Sequence, residues 1–459
     1  MNKMRIALVD PSGVSWKRRE PLGIEYLGGL LQENDYKVKI FHPALSFKEL
    51  LISLKECDPD IIGFSVMSCN FGAAVALAAE MKKTNPDIVT VFGGSHATGD
   101  PSIVRNDCID FVIIGEGDYT FLELIRNIQA GDNPKKIAGL AYWDGKVKLT
   151  PQRESIKDLN ELPFPLRSAL FLNDCIDFGL NYPPPSQQRA HACMTYSRGC
   201  PYNCSFCISS KMWGRIVRYR SASSVVRELK HLQNKYGTNF VFFVDLTFNA
   251  VPQKVYELHE EMKRQKVNVY WKTEGRAEGT NLEILHTMAN MGCTKLCYGV
   301  ESFSKDTLRR IRKPQNIDQV ITAFRLANSL GILTRASYMV GYPWETEESL
   351  RESERNLAEF LPADELRITF ITPFPGTLLY EECRKQRIPI EEDLNKYTSE
   401  EPVIATSISK EALLQWKHHT LKTFYLSKQY EQRRTEKIRR FLHLKQSYEE
   451  FFEHLAKEF

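Results

Sequence analysis

Cys200, Cys204 and Cys207 fall within eight residues, in the run Ser197-Arg-Gly-Cys-Pro-Tyr-Asn-Cys-Ser-Phe-Cys-Ile208. Three thiolates on one short loop can hold three irons of a four-iron cluster and leave the fourth iron open to a small molecule. A structural zinc site would need a fourth ligand, usually from a second Cys-x-x-Cys or a His pair. Downstream, Cys293 and Cys297 are four apart in an apolar run that reads as a strand, and His191 precedes the loop, outside finger spacing. A disulfide framework does not fit 11 irregularly spaced cysteines in 459 residues with no signal peptide expected. The spacing therefore predicts an iron–sulfur loop.

Other residues able to do chemistry gather where strands are expected to end. In the first third these are Asp10-Pro-Ser12-Gly13, Ser65 to Ser68 with Met67 between them, Gly93-Gly94-Ser-His96-Ala-Thr98 and Gly115-Glu116-Gly117-Asp118. Further on they are Asp245, Thr247, Arg276, Glu301, Gly341 and Glu345. Each alone has a structural alternative, a glycine turn or a rim charge; their recurrence at strand ends is what points to a site. His96, in a glycine-rich turn, reads as a hydrogen-bonding loop residue before it reads as a metal ligand.

The elements that must position these residues follow from periodicity. Over roughly the first 150 residues, apolar runs at 5–9, 37–41, 61–66, 88–92 and 111–114 predict five buried strands, with helical patterns such as 23–34 and 70–84 between them. That alternation predicts an α/β, doubly wound parallel sheet of flavodoxin or Rossmann type, whose ligands bind at the carboxyl ends of the strands. A proline-rich linker, 151–190, includes Pro183-Pro-Pro185, which fits neither a helix nor a central strand. From 191 to 380, six strand and helix units predict a partial (β/α)6 barrel, with the cysteine loop at the carboxyl end of its first strand, where barrel active sites lie. Residues 381–459 read as a helical region, long and amphipathic from 410, expected to cap the barrel mouth or shape the substrate pocket.

Composition narrows the class. The balance of 61 basic and 57 acidic residues, net +4, gives no argument for nucleic acid, and no apolar run approaches the length of a bilayer span. A cytoplasmic protein with reduced thiols is expected.

Cys-x-x-x-Cys-x-x-Cys with an aromatic just before the last cysteine resembles the signature of the radical S-adenosylmethionine superfamily. The runs Pro21-Leu-Gly-Ile-Glu-Tyr-Leu-Gly-Gly29, Gly93 to Thr98 and Gly115 to Asp118 resemble the cobalamin-binding domain that precedes the radical barrel in many members. The resemblance implies three cofactors: a 4Fe–4S cluster on Cys200, Cys204 and Cys207, S-adenosyl-L-methionine, and cobalamin. It places Phe206 beside the adenine, Asp245 and Thr247 at the cofactor amino group, Glu301 at the ribose, Gly341 and Glu345 at another strand end, and Pro373 to Thr377 as backbone for the adenine. Arg276 would pair with the cofactor carboxylate, a bidentate match for a guanidinium. Leu246 stands where many relatives carry a second acid, which weakens the assignment of Asp245. Cobalamin contacts implied are Ser12, Gly13, Ser65, Met67, Ser68, Gly93, Gly94, His96, Thr98, Glu116 and Gly117; with no Asp-x-His-x-x-Gly run, no histidine is expected below the cobalt.

The implied reaction begins with reductive cleavage of S-adenosylmethionine and hydrogen abstraction from an unactivated carbon of a small-molecule substrate. Methyl transfer from methylcobalamin then follows, with electrons from an external donor such as flavodoxin or ferredoxin. Two alternatives share the layout or the loop: a radical dehydratase, cyclase or oxidoreductase without methyl transfer, and a non-enzymatic iron–sulfur sensor or assembly protein. A methylthiotransferase is disfavoured, because Cys57, Cys69 and Cys108 are poorly placed for a second cluster.

Overall fold

The computed structural model describes residues 4–11, 20–41, 45–168, 172–173 and 179–457. Its first sheet comprises β1 (Arg5–Val9), β2 (Lys37–Phe41), β3 (Ile61–Ser65), β4 (Val89–Gly93), β5 (Phe111–Ile113), β6 (Leu140–Trp143) and β7 (Val147–Leu149), ordered β2-β1-β3-β4-β5-β6-β7. Pairing is parallel through β5, as at Ile6↔Ile61 and Ile61↔Val89. Ile6 to Val9 and Ile61 to Phe64 are buried throughout, because helices cover both sheet faces. The order reverses between β1 and β3, the switch point where a doubly wound sheet opens a crevice.

Periodicity predicted five strands here, and the sheet has seven. β6 and β7 add an antiparallel hairpin on β5, turning at Asp144-Gly145 with Gly145 at φ +67°. Such short edge strands carry too few alternating residues to register as a period, although Asp-Gly is a hairpin signal.

The second sheet is a partial barrel. After β8 (Ala192–Met194) come β9 (Ser197–Arg198) and β10 (Arg218–Tyr219), an antiparallel pair outside it. Then follow β11 (Phe240–Phe243), β12 (Tyr270–Gly275), β13 (Cys293–Glu301), β14 (Leu333–Val340) and β15 (Glu365–Phe370), in the order β15-β14-β13-β12-β11-β8, all parallel. Outward residues such as Trp271, Tyr298 and Tyr338 pack in the main core beneath helices including Ala222–Tyr236 and Ile317–Ser329. Among the described residues no helix is long and apolar enough to cross a membrane.

An open barrel leaves an edge strand with unpaired backbone groups. On β15 the chain itself covers them: Tyr425 Oη accepts from Leu366 N (2.9 Å) and faces Leu366 O (3.3 Å), and Phe370 N donates to Ser399 O (2.8 Å). The terminal helices Lys410–Leu426, Lys428–Arg440 and Lys445–Leu455 pack on this edge and on the amino end of β15. There Asp364 accepts from Lys437 Nζ and Tyr448 Oη, both at 2.6 Å, and from Thr334 N at 2.7 Å. The expectation that these helices cap the mouth is corrected for the last two, which pack at the far end of the barrel; the first begins beside Gly341 at the mouth and runs along the β15 edge.

Lys437→Met leaves the buried Asp364 carboxylate without its cation and should cost about 3 kcal/mol. The midpoint of chemical denaturation measures the loss, and an unchanged midpoint would refute this role for the pair.

Candidate active site

Chain geometry dictates how the cysteine loop starts. Gly199 lies at φ +102°, between β9 and Cys200, and a Cβ there would overlap Ile216 O on the returning strand, so only glycine fits. Backbone bonds pin the far side: Ser205 N donates to Ile311 O and Leu379 N to Ser205 O, both at 2.8 Å. Tyr202 lies under the Arg276 guanidinium, 3.8 Å from ring centre to Cζ.

The three sulfurs face one region. Cys200 Sγ is 3.9 Å from Thr247 Oγ1, and Cys207 Sγ is 3.1 Å from Ser209 Oγ. Burial pushes the Cys204 thiol up, against the lowering influence of Lys313 and Arg276. Burial also raises Cys207, against hydrogen bonds from Ser209. Among the described residues no three His, Cys, Asp or Glu side chains converge closely enough for a single metal ion. A 4Fe–4S cluster does not require such convergence, because each sulfur takes its own iron. Three thiols beside two cations fit that anionic group.

Several residues expected to touch S-adenosylmethionine have other partners. Both oxygens of Asp245, which is 1% exposed, accept from the strand feeding the loop, Tyr196 N (3.0 Å) and Ser197 N (2.6 Å), with Ser197 Oγ also donating. Burial pushes its carboxyl up to about 6, opposed by those bonds. Asp245 thus positions the cysteine loop, holding the strand that feeds it through both oxygens. The Nε and Nη2 edge of the Arg276 guanidinium is paired with Glu278 (3.1 and 2.8 Å), while its plane lies over Tyr202. Glu345 closes its own turn, accepting from Gly341 N (2.6 Å) and Tyr342 N (3.2 Å), and burial raises it to about 7. Phe206 packs with Trp344 and Phe374 against the small apolar cluster around Tyr342 and Ile371.

Glu301 and Thr247 remain at the strand ends near the cysteines. Glu301 is held at φ +63°, where the β13–β14 register shifts, and its Oε1 accepts from Lys313 Nζ at 2.6 Å. Lys313, 6% exposed and also bonded to Gly299 O, has no motif of its own; its one sequence clue is Pro314, which holds the preceding residue extended.

At the carboxyl edge of the first sheet, Gly63, Ser65, Gly93, Gly94 and Gly117 line a cleft beneath helices Leu22–Glu33 and Asp118–Ala130. Met212 and Trp213, just after the cysteine loop, form its far wall. Gly23 has nothing within 4 Å of its missing side chain, so backbone is open to a ligand on this side. His96 Nδ1 faces Ser68 Oγ at 3.0 Å while its buried Nε2 has no partner; burial lowers its pKa to about 4, so the ring is neutral. The glycine-lined cleft lets part of a large cofactor approach the backbone; His96 is buried behind it and does not line it. Thr98 is buried, its Oγ1 accepting from Gly115 N at 3.0 Å. Glu116 is a correction: it forms a bidentate pair with Arg218 (2.9 and 2.6 Å) and accepts from Ile156 N, so its carboxylate joins the two domains. Ser12 and Gly13 lie outside the described residues.

Between the domains is a second cavity of about 390 Å³, open at its mouth. Met67 and Ser68 line it from the first sheet, Ile208 from the cysteine loop, Arg335 and Arg367 from inside the barrel, and Tyr397 from the segment beyond β15.

Comparisons with known proteins agree with this arrangement. Residues 194–357 match the model of the Radical SAM superfamily, and residues 18–125 that of the B12 binding domain. An uncharacterized methyltransferase of Pyrococcus horikoshii is 31% identical over 420 residues, covering 88% of each chain. The chain belongs to the radical SAM superfamily, in the branch with a B12-binding domain. This radical SAM protein is also 29% identical over 378 residues to the anaerobic magnesium-protoporphyrin IX monomethyl ester cyclase of Rubrivivax gelatinosus, covering 79% of its own length and 66% of the relative's. Its fold matches the radical S-adenosylmethionine methyltransferase TsrM of Kitasatospora setae, solved with cobalamin and a 4Fe–4S cluster, with a TM-score of 0.71 at 18% identity, covering 84% and 75% of the two chains. The chain is an enzyme, and its cofactors are the cluster, S-adenosylmethionine and cobalamin.

Two outcomes are expected. Gly199→Ala should cut iron loading of the anaerobically reconstituted protein several-fold while far-UV circular dichroism stays unchanged; full loading would show that the loop tolerates a side chain there. For Glu345, whose pKa is raised to about 7, the stability it contributes is fully present below the ordinary carboxyl pKa and lost as pH rises through 7. Glu345→Gln removes that dependence, so the Tm of the variant relative to wild type should rise between pH 5 and pH 8, and a flat difference would refute the shift.

Proposed function

We propose that this enzyme is a cobalamin-dependent radical SAM C-methyltransferase acting on an unactivated carbon of a small molecule. The supporting observation is an interdomain cavity reached by the cysteine loop, by the β3 and β4 ends of the B12-binding domain, and by the barrel interior. When bound, the cluster and S-adenosylmethionine supply the radical that abstracts hydrogen, and cobalamin supplies the methyl group.

The chain's own part is binding, orientation and exclusion of water. Cys200, Cys204 and Cys207 hold the cluster; Thr247, the Glu301–Lys313 pair and the backbone at Gly341 border the cofactor; Asp245 and Arg276 keep the loop in place. Gly93, Gly94 and Gly117 border cobalamin, with His96 buried behind them. The division of labour is 1–150 for cobalamin, 151–190 as linker, 191–380 for the radical chemistry and 381–459 as edge cover and cavity wall. A small flavoprotein or ferredoxin of the cytoplasm is the reductant in this reading.

The relative named as a cyclase makes ring closure the competing outcome. Incubating the holoenzyme with dithionite, S-adenosyl-L-(methyl-d3)methionine and an extract of small molecules separates the two. Methyl transfer predicts a product carrying the labelled methyl together with 5′-deoxyadenosine, and both should vanish in Cys204→Ser. Deoxyadenosine with no labelled product would overturn methyl transfer.

A further inference from the structure

The interior of a closed (β/α) barrel is normally filled by branched apolar side chains. Here the inward positions are charged. The register aligns Lys272 with Lys295, and Glu274, Cys297, Arg335 and Glu365 in one row, with Arg367 beside Ser337 one step nearer the mouth. Of these groups, Lys295 and Glu365 neutralise each other at 2.6 Å. Lys272 lies over the Phe242 ring, 4.7 Å from its centre. Four cations, Lys272, Lys295, Arg335 and Arg367, thus share this interior with the carboxylates Glu274 and Glu365, and Arg367 also reaches Glu400.

Arg335 is the least compensated. It is 8% exposed and lines the interdomain cavity. Among the described residues the carboxylates that act on it are Glu365 on the paired strand, already bonded to Lys295, and Glu274, whose Oε1 at 3.7 Å is beyond hydrogen-bond distance; its Nε is buried with no partner. A guanidinium is always charged and carries five donors in a rigid fork, so leaving it unpaired out of water is costly. Arg367, on the neighbouring strand and the same face, gives one nitrogen to Glu400 at 3.2 Å, a carboxylate it shares with Lys417. One carboxylate, Glu274, and the Cys69 thiol also line the cavity; the rest of the wall around the two arginines is apolar or hydroxylic, including Met67, Ile208, Phe374, Tyr397 and Thr369.

We infer that Arg335 and Arg367 form an anion seat for the substrate, so that the small molecule carries a carboxylate or phosphoryl group at one end and an apolar body at the other. The acidic end enters the barrel; the apolar body extends past Ile208 and Met67, towards the cysteine loop and the edge of the B12-binding domain. This places the reacting carbon away from the charge. The inference rests on the methyltransferase reading for the cavity's use, but not for its charge preference.

The probes are a matched set, 3-phenylpropionate, phenyl phosphate and the neutral 3-phenylpropanamide, titrated into anaerobically reconstituted holoenzyme by ligand-observed NMR. At least one anion should bind about tenfold tighter than the amide. That gap should close in Arg335→Met, narrow in Arg367→Met, and be partly retained in Arg335→Lys. Which anion wins tells carboxylate from phosphoryl. Equal binding of all three to wild type, or an unchanged gap in both methionine variants, overturns the seat; if Arg335→Met does not fold, Arg367→Met and Arg335→Lys decide. Iron content, cobalamin retention and S-adenosylmethionine binding are measured on the same samples. Intact cofactors without anion preference reject the seat alone, whereas loss of cofactor binding in wild type rejects the proposed function.

Discussion

One buried guanidinium joins the parts on which everything else depends. Arg167, in the linker, donates Nε to Glu20 Oε1 of the first domain (2.5 Å), Nη1 to Glu228 Oε1 of a barrel helix (2.6 Å) and Nη2 to Cys193 O of β8 (2.6 Å). Glu20 also accepts from Cys193 N, and Glu228 from Arg220, the residue after β10. The fork therefore fixes the strand before the cysteine loop and the strand after it relative to the first domain. Glu25, next to this group, is buried against Glu20; burial and then Glu20 push its carboxyl well above the usual range. With Glu25 neutral, two carboxylates meet two guanidiniums, and a dry ionic network balances. Removing either arginine would strand a charge, the costly case for a buried pair.

The same joint is reinforced where glycines let backbones touch. A Cβ on Gly99 would overlap Pro375 O, and one on Gly376 would overlap Gly99, so the loop after β4 and the turn after β15 meet main chain to main chain. Arg198 and Arg218, on the β9–β10 ribbon, pair with Asp118 and Glu116 of the first domain. Contacts of this kind turn two domains that would otherwise move into a fixed cavity wall.

Much of this was legible in the sequence because it is periodic or covalently local. The limits of β1, β2 and the helix Ala222–Tyr236 follow from apolar repeats, and the cysteine loop from spacing alone. What was not legible is the direction in which a strand-end charge points. Glu116 and Asp245 occupy positions where a ligand contact is expected, yet their partners lie 102 and 48 or 49 residues away, Arg218 and the strand entering the cysteine loop. Sequence marks such positions as polar and buried without saying whether the polar partner is protein or cofactor. Lys313 illustrates the converse: its role follows from a fold that returns it to Glu301, and no local pattern announces it.

Glu301 shows why these supporting groups belong to function as well as folding. A non-glycine residue at φ +63° carries strain of about 1–2 kcal/mol, and such strain persists only where the surroundings over-determine it. Here the Lys313 ammonium bridges Glu301 Oε1 and Gly299 O across the shifted register, and a Cβ on Gly299 would collide with both side-chain ends. The bulge, the glycine and the ion pair are one device. It fixes the end of β13 and keeps a carboxylate and an ammonium beside Cys204, whose thiol Lys313 favours in its charged form. Without Lys313 the buried Glu301 carboxylate would lose its partner, and the cysteine loop would lose the cation that makes its corner hospitable to an anionic cluster.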